Sequence, residues 1–150
     1  MTRTTTADDE LITTFGRLVE AHSALGQQLG RALEQGCDLP HSWFEVLLRV
    51  GRAEAGQISM SALAQQVALT SGGVTRLLDR MVAAGVVRRV PCPTDRRVQF
   101  AALTDAGQSK LTEAAALHAQ NLRVAFQGFS RDELRTLDTL LDRLRVARIA

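Results

Sequence analysis

Two short helical patterns flank a four-residue turn, and a proline-broken pair of strands follows directly; few folds accommodate that order. The first pattern opens at Ser59 or Ser61 and turns Leu63 and Val67 inward before Ala68-Leu69-Thr70-Ser71 interrupts it. The second runs to about Ala84, with Val74, Leu77, Leu78 and Met81 spaced three and four apart, as one buried stripe of a helix requires. Thr70 or Ser71 can cap it and Gly85 ends it, while Thr75, Arg76, Asp79 and Arg80 are left on the outer side. Val86–Val90 and Val98–Leu103 read as strands. Between them Pro91-Cys92-Pro93-Thr94-Asp95-Arg96-Arg97 makes a hairpin with an extended, basic tip.

Helix, tight turn, helix and hairpin in that order constitute a winged helix-turn-helix. The expected fold class is therefore mainly α with a small β-hairpin wing, within a single domain over residues 1–150. The flanks exceed what such a lobe needs. Between residues 8 and 35, Leu11, Phe15, Leu18, Val19, His22, Leu25, Leu29 and Leu33 form one stripe of an amphipathic helix roughly 40 Å long. Gly36 is expected to end it, and Pro40 to stand in the first turn of a second helix. In that helix Trp43, Val46, Leu47 and Val50 face inward, and Gly51 and Gly56 close it. Gln57-Ile58-Ser59 fits a brief strand. After the wing, Thr104 caps a fifth helix that reaches about Gln127 and stops at Gly128. Ser130-Arg131-Asp132-Glu133 fits a capping box for a sixth, with Leu134, Leu137, Leu140, Leu141 and Leu144 inward.

Net charge is only +2, but its distribution is uneven. Residues 1–54 carry a balance of −3 and residues 55–70 no charge at all. Residues 71–104 carry Arg76, Arg80, Arg88, Arg89, Arg96 and Arg97 against Asp79 and Asp95, a balance of +4. Positive charge concentrated in one stretch is the footprint of a nucleic-acid partner. A helix fits the major groove and presents side chains to base edges. The helix before it lies across the backbone, and a basic tip reaches a minor groove whose negative potential attracts Arg. The helix after Ser71 is thus the expected recognition helix, with Arg76 placed for guanine readout and Arg80 beside it. Ser61, Thr70, Ser71 and Thr75, with the backbone of Gly72 and Gly73, are the expected phosphate contacts.

Other chemistries find little support. There is no P-loop, no GxGxxG after a strand, no HExxH and no GxSxG, so no catalytic residue is assigned and no enzyme is expected. His22, His41 and His118 are scattered, which offers no metal or cofactor site. Cys37 and Cys92 lie far apart and read as free thiols. No apolar run approaches a membrane span, and the N-terminus has no signal-peptide stretch, so the expected compartment is the cytoplasm.

Asp95-Arg96-Arg97, a strand, and then Leu103-Thr104-Asp105-Ala106-Gly107 match the MarR-family pattern Asp-x-Arg, strand, Leu-Thr-x-x-Gly. Leu39-Pro40-His41-Ser42-Trp43 resembles that family's second-helix start. Leu63-Ala64, then Leu69 to Leu77 with Gly85-Val86-Val87, resembles its helix-turn-helix. The chain departs from the commoner pattern at Gly72-Gly73, where a Ser or Ala followed by Thr is frequent, so one hydroxyl that the pattern offers to phosphate is absent here.

The resemblance implies a homodimer that binds a pseudo-palindromic operator in double-stranded DNA and regulates transcription, as a repressor of nearby genes. Its helices at 8–35 and 104–147 would form the dimer interface and 37–103 the winged lobe. It also implies that Asp95 orders the wing by pairing with Arg97, and that Arg96 or Arg97 enters the minor groove. A small-molecule effector would bind between the dimer helices and the lobe, where Phe15, His22, His41 and Trp43 are candidate contacts. Two other readings stay open: a winged-helix module that binds protein, and a thiol-based redox-sensing regulator that uses Cys92 or Cys37.

Overall fold

The computed structural model describes residues 9–67 and 71–148, and of Ser71 the backbone alone. Asp9 opens the first helix, α1 (Glu10–Cys37), by accepting a hydrogen bond from the Leu11 amide at 2.8 Å. Asp38 closes it in the left-handed conformation (φ 49°), with its amide on the Glu34 carbonyl and that of Leu39 on Leu33. Gly36, expected to end this helix, lies inside it instead. A methyl group at Gly36 would stand 2.5 Å from Leu117, so the glycine serves close packing against the fifth helix.

Helix α2 (His41–Arg52) follows, with Pro40 just ahead of it as the capping residue. Gly51 does not close α2 either: it lies within the helix, where a side chain would run into Leu111. Gly56 takes its turn at φ +69°. Trp43, expected inward, is only half-buried, while Phe44 is 1% exposed and fills the core with Val46, Leu47 and Val50. Helices, strands and the sheet edge pack around α2 from several sides, so its buried arc is wider than one stripe.

Strand β1 (Gln57–Ser59) leads straight into α3 (Met60–Gln66). Ser59 rather than Ser61 caps α3, its hydroxyl accepting from the Ala62 amide at 3.2 Å. Within α3 Leu63 and Ala64 are buried, whereas Val67 is half-buried at the helix end. Helix α4 (Ser71–Ala83) turns Val74, Leu77, Leu78 and Met81 into the core. Gly85, at φ +75°, ends α4 and lets the Val86 amide reach back to the Met81 carbonyl. Val86 therefore closes a helix rather than starting a strand.

β2 (Val87–Pro91) and β3 (Gln99–Leu103) form the hairpin, with Val87 opposite Leu103 and Pro91 opposite Gln99. β1 pairs with the other edge of β3, giving an antiparallel sheet in the order β1-β3-β2 with Ile58 opposite Ala101. Thr104 then caps α5 (Asp105–Ala125), and Ser130 with Glu133 forms a complete capping box for α6 (Arg131–Val146).

The two arms behave differently from the lobe. In α1 only Gly30, Leu33 and Cys37 are buried, all near its C-terminal end, and Leu11, Ile12, Phe15 and Val19 are exposed. The leucines of α6, expected inward, bury nothing completely: Leu134 and Leu137 are half-buried, and Leu140, Leu141 and Leu144 are exposed. No helix among the described residues is long and apolar enough to cross a membrane.

Candidate nucleic-acid interface

The buried stripe of α4 fixes which residues it presents outward. With Val74, Leu77, Leu78 and Met81 held inside, Thr75, Arg76, Asp79 and Arg80 all face solvent. Gly72 is exposed in the first turn, and nothing among the described residues stands within 4 Å of a methyl group placed on it. Its backbone is thus open to a close approach from outside, as is the exposed Ser61, whose hydroxyl lies 3.3 Å from that of Ser59. Gly73 is half-buried beside it. Thr70 and the Ser71 side chain, the alternative caps of α4, lie outside the described residues.

The wing tip is held by its own charges. The Asp95 carboxylate accepts from the Arg97 amide at 3.0 Å, and from Nε and Nη2 of that guanidinium at 3.2 Å each. This pairing holds the Asp95 carboxyl below the usual carboxylate range. The loop closes behind it: the Val98 amide donates to the Asp95 carbonyl at 3.0 Å and the Cys92 amide to Val98 at 3.1 Å. Arg97 remains 90% exposed, so its alignment leaves the cation available to a partner.

The six arginines of the basic stretch therefore divide. Arg76, Arg80, Arg88 and Arg96 are exposed and make no ion pair among the described residues. Arg97 is oriented by Asp95, and Arg89 joins Asp79 of α4 at 2.7 Å. The last contact was not legible from spacing, because the two residues are ten apart on different elements.

The candidate effector residues do not gather in one chain. Gly30 of α1 abuts His41, with a methyl group there 3.3 Å from His41 Cβ. At 1.5 Å per residue His22 stands roughly 12 Å along α1 from that point, and Phe15 more than roughly 20 Å. Phe15 is 64% exposed and His22 is exposed, whereas Trp43 packs on the core and His41 lies 3.6 Å from Glu45. A cavity of about 220 Å³ does open between α1 and α5, lined by Leu25, Leu29, Ala32, Asn121 and Val124 among others.

Two polar residues near that region were not singled out from the sequence. His118 packs its ring on Phe44 with centroids 4.7 Å apart, and its Nδ1 is buried with no hydrogen-bond partner among the described residues, as is Asn121 Nδ2. Burial pushes the His118 imidazole below its usual range, with His41 adding to the effect and Glu45 opposing it. Their spacing from Leu111 and Ala114 is the signal: all four fall on the packed face of α5. Of the thiols, Cys37 is buried, and desolvation raises its pKa, with Glu113 adding to the rise. The Thr94 hydroxyl, 3.3 Å from the Cys92 sulfur, lowers that of Cys92.

Comparison with known proteins agrees with this geometry. A family model described as MarR family matches residues 38–98, from the C-cap of α1 to the end of the wing loop. The HTH-type transcriptional regulator YkoM of Bacillus subtilis is 34% identical over 86 residues, 57% of this chain and 56% of that protein. The chain thus spans little more than half the length of that relative. The multiple antibiotic resistance protein MarR of Escherichia coli is 28% identical over 131 residues, 87% of this chain and 90% of the relative. Among solved structures, the MarR-family regulator Sco3205 of Streptomyces coelicolor, determined in complex with DNA, superposes with a TM-score of 0.81 at 28% identity. That match covers 96% of this chain and 90% of the other. In fold, in the order of its motifs and in these relationships, the chain belongs to the MarR family of winged helix-turn-helix transcription regulators.

Proposed function

We propose that this chain is a cytoplasmic, sequence-specific regulator that binds a pseudo-palindromic operator as a homodimer and represses nearby genes. The observation that carries the reading is the exposed cationic surface of α4 and the wing, built from Arg76, Arg80, Arg88, Arg96 and the aligned Arg97. On this reading α4 enters the major groove, where Arg76 faces base edges and Arg80 the backbone. Gly72, Gly73, Thr75 and the hydroxyls of Ser61, Thr70 and Ser71 hold phosphates, and Arg96 or Arg97 enters the minor groove. The solved complexes of Sco3205 with DNA and of E. coli MarR with operator DNA support it by likeness.

The dimer reading rests on the arms. Residues 37–103 form the winged lobe, and residues 8–35 and 104–147 meet their counterparts in a second copy. Exposed Leu11, Ile12, Phe15 and Val19 on α1, with Leu140, Leu141 and Leu144 on α6, supply the apolar area that such an interface buries. Two copies then present two recognition helices to half-sites about one helical turn apart. Within the dimer, Phe15 and His22 of one arm can approach a cleft near His41 and Trp43, where a small effector would change the spacing of the lobes.

Duplex DNA from upstream of the gene, titrated at several salt concentrations, tests the reading. If three arginines per protomer meet phosphates, log K falls against log salt with a slope of about −5. Salt-independent affinity, or no binding to that duplex, would sink it.

A further inference from the structure

Asp79 is a carboxylate on the exposed side of α4, between Arg76 and Arg80, on the surface that the proposed function turns toward DNA. Left bare, it would repel phosphates and weaken binding to any duplex. The structure gives it another occupation. Its Oδ1 accepts from Nη2 of Arg89 on β2 at 2.7 Å, and Nη1 of the same guanidinium donates to Oε1 of Gln99 on β3 at 3.5 Å. One planar fork therefore touches the recognition helix and both strands of the wing. The Arg89 side chain is 31% exposed, against 61% for Asp79, so the cation is the better sheltered member of the pair.

We propose that Asp79 and Arg89 are a positioning pair that fixes the angle between α4 and the wing. That angle sets the distance between the major-groove and minor-groove contacts within one half-site. Two elements held in advance lose less freedom on binding than two that pivot. The benefit goes only to a duplex that uses both elements, while the carboxylate's repulsion acts on every duplex. The pair therefore contributes specificity more than affinity.

The proposal rests on the DNA-binding reading, and its test turns on a sign. Full-length protein is measured on the duplex it enriches from a random-sequence library, and separately on poly(dI-dC). Asp79→Ala removes negative charge from the DNA-facing side, so electrostatics alone would tighten both complexes. The positioning pair predicts up to about fivefold weaker binding to the enriched duplex, the most that an exposed ion pair couples, together with tighter binding to poly(dI-dC). Asp79 is exposed and alanine favours helix, so this variant keeps the fold.

Asp79→Glu retains the pair and binds as the wild type does. Arg89→Gln weakens the enriched complex like Asp79→Ala but leaves the salt slope unchanged, and the double variant is no weaker than either single one. Tightening of both complexes by Asp79→Ala overturns the proposal. So does a slope shallower by about one in Arg89→Gln, which would make Arg89 a phosphate contact. A loss confined to one base pair would make Asp79 a base reader and overturns it too. A wild type that enriches no duplex defeats the DNA-binding reading itself, an outcome separate from all of these.

Discussion

Asp95 holds Arg97 at both ends of the residue, backbone amide and guanidinium, through its two carboxylate oxygens. The wing tip thus carries one cation already aimed before any partner arrives, and the ordering cost is met within the loop. If the proposed function holds, Arg97→Ala should abolish tight operator binding while leaving the helical circular dichroism and the sedimentation behaviour unchanged. Asp95→Ala, which keeps the cation but frees it, should weaken binding less. Arg97→Lys should not restore it, because an ammonium cannot copy the two-pronged contact. Fluorescence anisotropy on a labelled duplex ranks the three. Because Arg97 lowers the Asp95 pKa, the pairing is fully present above the ordinary aspartate range and is lost as pH falls through the depressed value. Wing order should therefore be constant around neutrality and fail only in acid, which carboxyl chemical shifts would follow.

Gly107 sits where α5 meets the end of α4. The Thr104 hydroxyl accepts from the Gly107 amide at 3.0 Å and donates to the Gly85 carbonyl at 2.6 Å, which draws the two segments together. A methyl group on Gly107 would collide with the Val86 backbone carbonyl. Gly107→Ala should cost ~3 kcal/mol, at the upper end for overpacking against backbone that cannot turn aside. Gly128→Ala, in open space, is the control. Calorimetric melting of both variants decides it; an unshifted Gly107→Ala would mean the junction is looser than described.

Leu144 is 54% exposed and Phe15 64%, yet both lie on apolar stripes of long helices. If a second copy covers them, Phe15→Asp with Leu144→Asp should give monomers in sedimentation experiments and lose operator affinity. The wild-type melting temperature should rise with protein concentration, as mass action requires of a dimer. A wild type that sediments as a monomer at micromolar concentration would refute the interface.

The two thiols should react very differently. Thr94 lowers the Cys92 pKa, so Cys92 carries more thiolate near neutrality than Cys37, which burial holds in the neutral form. Iodoacetamide should label Cys92 in the native protein and reach Cys37 only on unfolding, read by mass spectrometry. If the labelled protein keeps its operator affinity, thiol sensing through Cys92 is excluded.

Features written in neighbouring residues were legible in the sequence. The Ser130–Glu133 capping box, the Thr104 cap and the inward stripe of α4 depend on contacts three or four residues apart, which helical geometry fixes. Hence the order of elements and the outward set Thr75, Arg76, Asp79 and Arg80 followed from spacing. Gly36 and Gly51 misled because their reason lies in α5, at Leu117 and Leu111, and not in their own helices. Trp43 gave way to Phe44 because packing on several sides of α2 widened its buried arc.

By itself, then, the sequence determined the lobe, its wing and the basic stretch from residue 71 to 104, since local periodicity and charge order do not depend on what packs where. Only the tertiary structure decided how that charge is used. It closed Arg89 onto Asp79 and aligned Arg97 on Asp95, while Arg76, Arg80, Arg88 and Arg96 stayed unpaired among the described residues. It also left the apolar faces of α1 and α6 uncovered within one chain. The physical reason is range: an ion pair between a helix and a strand, or a stripe without a neighbour, exists only once the chain has brought distant segments to within a few ångströms of each other.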